Sequence, residues 1–310
     1  MSTKIEWTDE TWNPVTGCTK VSQGCKNCYA ERLWPKVSAA EAKREGWDKP
    51  RAFTDVRCHP ERLEAPLHWK KPRRIFVNSM SDLFHEDVPF IFIDRVFAVM
   101  ALCPQHTFQI LTKRPALMLA YLAETRAEIV RREWTLTDCA TRKKLVYRPF
   151  PAWPLPNVWL GVSVEDQPTA DERIRLLLQT LAAIHFVSYE PALGPVRFKD
   201  EWLQCPGGAE YGNGFNRTEV HAGCCEKHAR LNWLIAGGES GPNARPSHPD
   251  WFRSVRDQCA DAGVAFFFKQ WGEWAPRWRP DGRASLPMNR TGKKAAGRIL
   301  DGRTHDEYPA

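Results

Sequence analysis

Arg74-Ile75-Phe76-Val77-Asn78-Ser79 decides the fold, because it is a short β-rich apolar run that ends on polar residues. Behind it Phe90, Ile93, Phe97 and Met100 recur at helical spacing between Pro89 and Pro104. Thr107-Phe108-Gln109-Ile110-Leu111-Thr112 is the next strand. The pattern then predicts a helix over 116–134, a strand over 158–163 and a helix over 169–183 carrying Leu176, Leu177 and Leu181. Strands follow over 184–189, 233–236 and 264–269, with a helix over 249–262 between the last two. Repeated β-α order implies a parallel sheet covered by helices, and so an α/β class. With 310 residues and 43% hydrophobic content the chain can bury one large core; one α/β barrel and two domains both fit that size.

A second stretch carries the chemistry: Gly17-Cys18-Thr19-Lys20-Val21-Ser22-Gln23-Gly24-Cys25-Lys26-Asn27-Cys28-Tyr29-Ala30-Glu31-Arg32. A C-x2-C pair lets one tight turn aim two thiolates at the same metal, and the loop before it is long enough to return a third. No fourth cysteine follows nearby. By spacing alone three readings stand: a zinc site with a distant fourth ligand, an iron–sulfur cluster, or unrelated buried thiols. Three thiolates on a cubane of four irons leave one iron without a protein ligand, and an open metal position marks catalysis.

This stretch resembles the cluster loop of radical S-adenosylmethionine (SAM) enzymes, with closest likeness to the spore-photoproduct-lyase branch. In that branch the last cysteine is followed by Tyr-Ala and a basic residue. The usual spacing there is C-x3-C-x2-C, so this chain inserts three residues between Cys18 and Cys25. More closely still, the chain resembles the phage-associated three-cysteine-motif family, a radical-SAM-like group. The matching segments are 12–18, 78–84, 111–114, 237–242, 268–272 and 292–303, so the likeness runs almost end to end. The resemblance implies an incomplete (β/α)6-type TIM-like barrel and a [4Fe-4S] cluster on Cys18, Cys25 and Cys28. SAM would bind the open iron by its amino and carboxylate groups. Its reductive cleavage gives methionine and a 5′-deoxyadenosyl radical that abstracts hydrogen from a substrate. Such chemistry needs a cluster at the reducing end of the roughly −700 to +450 mV range, together with an electron-donor protein.

In parallel barrels chemistry collects at the C-terminal strand ends. Here those ends carry Asn78, Ser79, Ser81 and Asp82; Thr112, Lys113 and Arg114; Ser163 and Glu165; Ser188 and Glu190; Gly237, Gly238 and Glu239; Lys269 and Gln270. Each alone could cap a helix. As a set they are expected to line a pocket, with Asp82, Lys113, Ser163, Glu190 and Glu239 facing one cavity. The resemblance assigns Asn78, Ser79, Ser81 and Asp82 to the methionine amine, and Ser163 and Glu165 to ribose or carboxylate contacts. Lys113 would offset the carboxylate charge. Gly237-Gly238-Glu239 reads as a close-approach turn with a buried acid.

The chain carries 44 Lys+Arg against 37 Asp+Glu, a net +7, and fourteen tryptophans. Basic clusters at 70–74, 131–132, 142–144 and 290–303 lie near Trp69, Trp134, Trp271, Trp274 and Trp278. Cations beside aromatic faces suit phosphate contact plus base stacking, so a nucleic-acid or nucleotide substrate is expected. The competing reading makes the tryptophans core and the charges a solvated surface. No apolar run approaches the ~20 residues that span a bilayer, and residues 1–10 are polar. The ten cysteines of a chain this long are expected to be reduced thiols and metal ligands in a cytoplasmic protein.

Residues 200–230 break the alternation and read as an insertion holding Cys205, His221, Cys224, Cys225 and His228. Two readings stand, a structural zinc (Zn2+) knuckle and a metal-free loop. Cys58, Cys103, Cys139 and Cys259 are isolated and read as structural thiols. Residues 275–310 read as a basic C-terminal flap or a loosely packed tail. The expected whole is a single barrel domain with these two additions. Its expected function is a radical SAM enzyme acting on a nucleic-acid base or nucleotide in repair or modification. The alternative is a non-catalytic, metal-stabilised nucleic-acid-binding protein.

Overall fold

A computed structural model describes residues 3, 5–122, 127–133, 151–204, 229–278 and 284–309. The cysteines and histidines of the insertion, Cys205, His221, Cys224, Cys225 and His228, lie outside the described residues, as do Cys139 and Trp134. The strands are β1 (Glu10–Trp12), β2 (Val15–Thr16), β3 (Arg57–Cys58), β4 (Arg74–Val77), β5 (Thr107–Thr112) and β6 (Val158–Val164). They continue with β7 (Ile184–Tyr189), β8 (Trp233–Gly237), β9 (Ala265–Gln270), β10 (Trp274–Trp278) and β11 (Ala284–Arg290). Seven of them form one sheet in the order β1-β4-β5-β6-β7-β8-β9. The class is α/β. The apolar pattern marks six of the seven; β1, at three residues, is too short to show a period.

Contacts divide the chain into two compact units, Met1–Gly161 with Thr180–Ala183, and Val162–Gln179 with Ile184–Ala310. In the first, β1, β4 and β5 run parallel, with Thr11 beside Phe76 and Ile75 beside Phe108. α1 (Tyr29–Glu45) and α2 (Phe90–Leu102) belong to this unit. α2 starts after Pro89, which cannot continue a helix backwards, and is buried from Phe92 to Leu102 except at Arg95. Its open C-terminal carbonyls are satisfied by Asn157, whose Nδ2 donates to Met100 and Cys103, and also to His106, at 3.0, 3.1 and 3.2 Å. The helix expected over 116–134 is α3 (Pro115–Tyr121), and residues 127–133 are again helical.

In the second unit β7, β8 and β9 run parallel, with Ser188 beside Ile235 and Leu234 beside Phe266. α4 (Gln167–Leu177) begins two residues earlier than the leucine pattern suggests. Asp166 and Thr169 form a capping box there, with Asp166 Oδ1 accepting from the Thr169 amide at 3.1 Å. It also ends sooner: Leu181, taken for part of its apolar face, is 52% exposed. α5 (Pro249–Ala262) buries Phe252, Val255 and Cys259 along one side and stops at Gly263 in the left-handed conformation. The tail is built, not loose. β10 and β11 pair antiparallel, and residues 305–307 run along β9, with the Phe268 amide donating to the His305 carbonyl at 3.0 Å. Asp301 ties this segment to α5 through Arg253 and Arg256, each at 2.8 Å.

Of the fourteen tryptophans, six settle into the interior. Trp7, Trp12, Trp34, Trp202, Trp233 and Trp271 are buried. Four of their indole N–H groups donate to backbone carbonyls at 2.8 Å: Trp12 to Arg62, Trp34 to Arg51, Trp233 to Glu307 and Trp271 to Ile299. Trp271, expected as a stacking aromatic, is therefore core. Among the described residues no helix is long and apolar enough to cross a membrane.

Candidate functional site

The cysteine loop leaves β2, which pairs antiparallel with β3, and it is stitched to the exit of β4. Gly17 makes the turn at φ 89°; a Cβ there would lie 2.5 Å from the Asp55 carbonyl oxygen, so only glycine fits. Its amide donates to Met80 O at 3.1 Å, and the Cys18 amide donates to Phe53 O at 2.8 Å. Cys25 closes a 3-10 turn, Gln23–Cys25, and Cys28 is the N-cap of α1.

The polar exit of β4 holds this loop in place. Asn78, at φ 61°, accepts from the Val15 amide at 3.2 Å through Oδ1. Ser81 Oγ donates to Val15 O at 2.9 Å, and Ser79 Oγ donates to Asn13 Oδ1 at 3.2 Å. Asn78 Nδ2 is buried with no hydrogen-bond partner. Asp82 is buried and accepts from Thr112 Oγ1 at 2.7 Å and from the Phe84 and Lys113 amides at 3.0 Å each. The carboxylate thus locks the end of β5 to the end of β4.

Arg114 turns its charge toward Cys18. Its guanidinium donates to Glu86 Oε2 at 2.7 Å, Thr19 Oγ1 at 2.7 Å and Cys18 Sγ at 3.6 Å, and lies 3.5 Å from Asp82. The same contact holds the Glu86 carboxyl down at about 2. Burial pushes the Cys18 thiol up to about 12, with Asp82 adding and Arg114 opposing; Cys25 also contributes, so the two sulfurs feel each other. Lys20 is raised first by its hydrogen bond to Glu31, with Cys28 and Cys25 acting in the same direction.

Among the described residues, no three His, Cys, Asp or Glu side chains are grouped to hold a single metal ion. A lone zinc draws its thiolates to about 3.8 Å from one another, given Zn–S bonds of about 2.3 Å. A cubane carries its thiolates on separate irons, farther apart. Three thiols on one loop match, in number and donor type, the protein ligands of a cluster that leaves one iron open. A metal bound here would take half-buried Cys18 as the thiolate, so its uptake would be coupled to proton release.

In the second unit the strand-end acids are paired. Glu165 is buried and receives Arg173 Nη1 on both oxygens at 3.2 Å; the same nitrogen donates to Ser163 O at 2.8 Å. Ser188 is buried on β7. Glu190 receives Lys269 Nζ on both oxygens at 2.9 Å and Gln270 Nε2 at 3.3 Å. Glu239 takes the Arg245 amide at 2.8 Å and its guanidinium at 2.9 and 2.6 Å. Gly238 is the expected close-approach turn: a Cβ there would lie 2.0 Å from the Trp271 carbonyl oxygen. Asp82 and Lys113 belong to the first unit, and Ser163, Glu190 and Glu239 to the second. Arg173 and Arg245, which answer Glu165 and Glu239, are residues the pattern did not name.

The model of a family described as protein of unknown function (DUF5131) matches residues 2–309. No curated protein and no solved structure matches the chain.

Proposed function

The chain belongs to the DUF5131 family, and from that premise we propose that it is an iron–sulfur radical SAM enzyme acting on a nucleic-acid base or nucleotide. The observation that carries the reading is the loop bearing Cys18, Cys25 and Cys28, pinned to the β4 exit and neighboured by Arg114. The strand order is compatible with an incomplete (β/α)6-type barrel preceded by β1, the scaffold on which such a loop would sit. Likeness to the phage-associated three-cysteine-motif group enters on the same footing, and so does a cytoplasmic, reducing setting for the thiols.

Cys18, Cys25 and Cys28 would hold a [4Fe-4S] cluster. Bound together, cluster and SAM supply one-electron cleavage to methionine and a 5′-deoxyadenosyl radical. The chain's own residues do the rest. Arg114 donates to the Cys18 sulfur, and hydrogen bonds to cluster sulfurs help set potential. Asp82 fixes Arg114 and the β5 exit. Asn78 offers a buried, unpartnered N–H donor beside the loop, suited to an acceptor on a ligand. For the substrate, Arg277, Arg290, Lys293, Lys294 and Arg303 are exposed cations of the second unit. Trp274 is half-buried with its indole N–H held by Ala244 O at 2.7 Å, so its ring is fixed for stacking.

Anaerobic reconstitution with iron, sulfide, SAM and reductant tests this. The expected result is a brown protein that forms 5′-deoxyadenosine, with Cys18→Ala, Cys25→Ala and Cys28→Ala each losing the iron and Cys58→Ala keeping it. A colourless protein holding tight zinc would return the non-catalytic reading.

A further inference from the structure

The root of the cysteine loop rests on a buried polar cluster. The Arg51 guanidinium donates to Glu41 Oε2 on α1 at 2.9 and 3.0 Å, to Thr16 Oγ1 at 2.7 Å and to the Asp55 carbonyl, and it lies over the Trp34 ring. One cation thus joins α1, whose N-cap is Cys28, to both sides of the Gly17 turn that leads to Cys18. His59, 1% exposed, completes the cluster. Its Nε2 lies 2.7 Å from Thr16 Oγ1, and its Nδ1 lies 2.9 Å from Glu61 Oε1. The directions of these bonds follow from the chemistry of the groups. Arginine only donates, so Thr16 Oγ1 accepts from Arg51 and has its own hydrogen to give. Thr16 is buried, and His59 Nε2 is the acceptor facing it. Nδ1 faces a carboxylate and so carries the hydrogen of the ring. The ring is therefore neutral, in its Nδ1–H form. Glu41 Oε1, 3.5 Å from Nε2, is buried with no hydrogen-bond partner.

We propose that His59 is a positioning residue for the cysteine loop and acts as a proton-driven latch on Thr16. Neutral, its Nε2 receives the Thr16 hydroxyl and holds the root of the loop. Once Nε2 takes a proton from solvent it can no longer accept. The new N–H turns to Glu41 Oε1, which satisfies that oxygen and releases Thr16, two residues before Cys18. The charged groups around the ring are Glu41 from α1, Arg51 from the segment after it, and Glu61 and Arg62 from the turn after β3. Burial first, and then Arg62, hold His59 below its ordinary value near 6.5, against Glu61 and Glu41. The latch is therefore closed at neutral pH and opens on acidification below 6.5. Nothing in it requires the proposed cluster, because its parts are Thr16, Glu41, Arg51 and His59.

The test uses the full chain, with no iron added. Nitrogen-15 NMR of labelled histidine, with the His59 signals identified by their loss in His59→Gln, should show the Nδ1–H form at about pH 7.5 and a titration midpoint below 6.5. Thr16→Val removes the donor to the neutral ring and should raise that midpoint. Hydrogen exchange of the segment holding Gly17 and Cys18, corrected for intrinsic rates, should show protection falling at least tenfold between about pH 7.5 and about pH 5, while β8 keeps its protection. His59→Gln sets an uncharged acceptor where Nε2 stands and should keep the loop protected at both pH values. An Nε2–H form at about pH 7.5 would overturn the proposal. So would loop protection that ignores pH in the wild type, or that falls equally in His59→Gln.

Discussion

Replacing Arg114 by methionine removes the charge and keeps most of the volume. Arg114 and Asp82 side chains are each 7% exposed and stand 3.5 Å apart. Deleting one partner of a buried pair costs about 3–5 kcal/mol, because the other charge is left unpaired. Asp82 retains three hydrogen bonds, from Thr112 Oγ1 and the Phe84 and Lys113 amides, which places the loss near the lower end. Glu86 adds little: its side chain is 55% exposed, and such pairs contribute less than about 1 kcal/mol. The expected total is about 3 kcal/mol for Arg114→Met and under about 1 kcal/mol for Glu86→Gln. In urea, with a slope near the upper end of about 1–3 kcal/mol/M for a chain this long, Arg114→Met should shift the midpoint down by about 1 M. A shift no larger than that of Glu86→Gln would refute the idea that Arg114 neutralises a buried charge beneath the cysteine loop.

Gly238→Ala drives a Cβ to 2.0 Å from a carbonyl oxygen with backbone on both sides, and should cost about 3 kcal/mol or more and lower the melting temperature by about 10 °C. Gly194→Ala meets only the Asp166 Cβ at 3.4 Å and should change little; equal effects would contradict the close approach. Asp301 is depressed to about 2, first by Arg253, against burial, and further by Arg256. Its stabilisation is fully present well above the unfolded value near 4 and lost as pH falls through the folded value near 2, so Asp301→Asn should cost about 2 kcal/mol at pH 7 and almost nothing at about pH 1. A pH-independent difference in urea midpoints would sink that account. Trp274→Ala should weaken oligonucleotide binding by about 1–3 kcal/mol, read by fluorescence anisotropy, whereas no loss would remove Trp274 as the stacking ring.

The β-α order was legible because strands such as Ile75–Val77 and Leu234–Ala236 are apolar runs of strand length, and because Pro89 and Pro104 bracket α2. The partners of Arg114 were not, because Asp82, Glu86 and Cys18 lie far from it along the chain. The strand-end acids were found by type but not by role. Glu190 meets Lys269, a partner far along the chain that no local pattern reveals, and Glu165 and Glu239 are answered by Arg173 and Arg245. The tryptophan count alone does not separate a core ring such as Trp271 from a half-buried one such as Trp274, since an indole N–H seeks a carbonyl equally well in either place.

The segment lying along β9 has a meaning beyond packing. β9 is the last strand in the sheet order, and its outer side would otherwise offer a row of open amides and carbonyls. The Phe268 amide is taken by His305, and the Phe266 amide by Glu307 Oε2 at 3.0 Å, while Glu307 N returns to Phe266 O at 3.3 Å. That closes the template on which a second copy of the chain could add a strand. A nascent chain emerges with β9 before its cover, so the interval between the two is when self-association would be most exposed. The Asp301 clamp to Arg253 and Arg256 seats that cover on α5, a helix made before it.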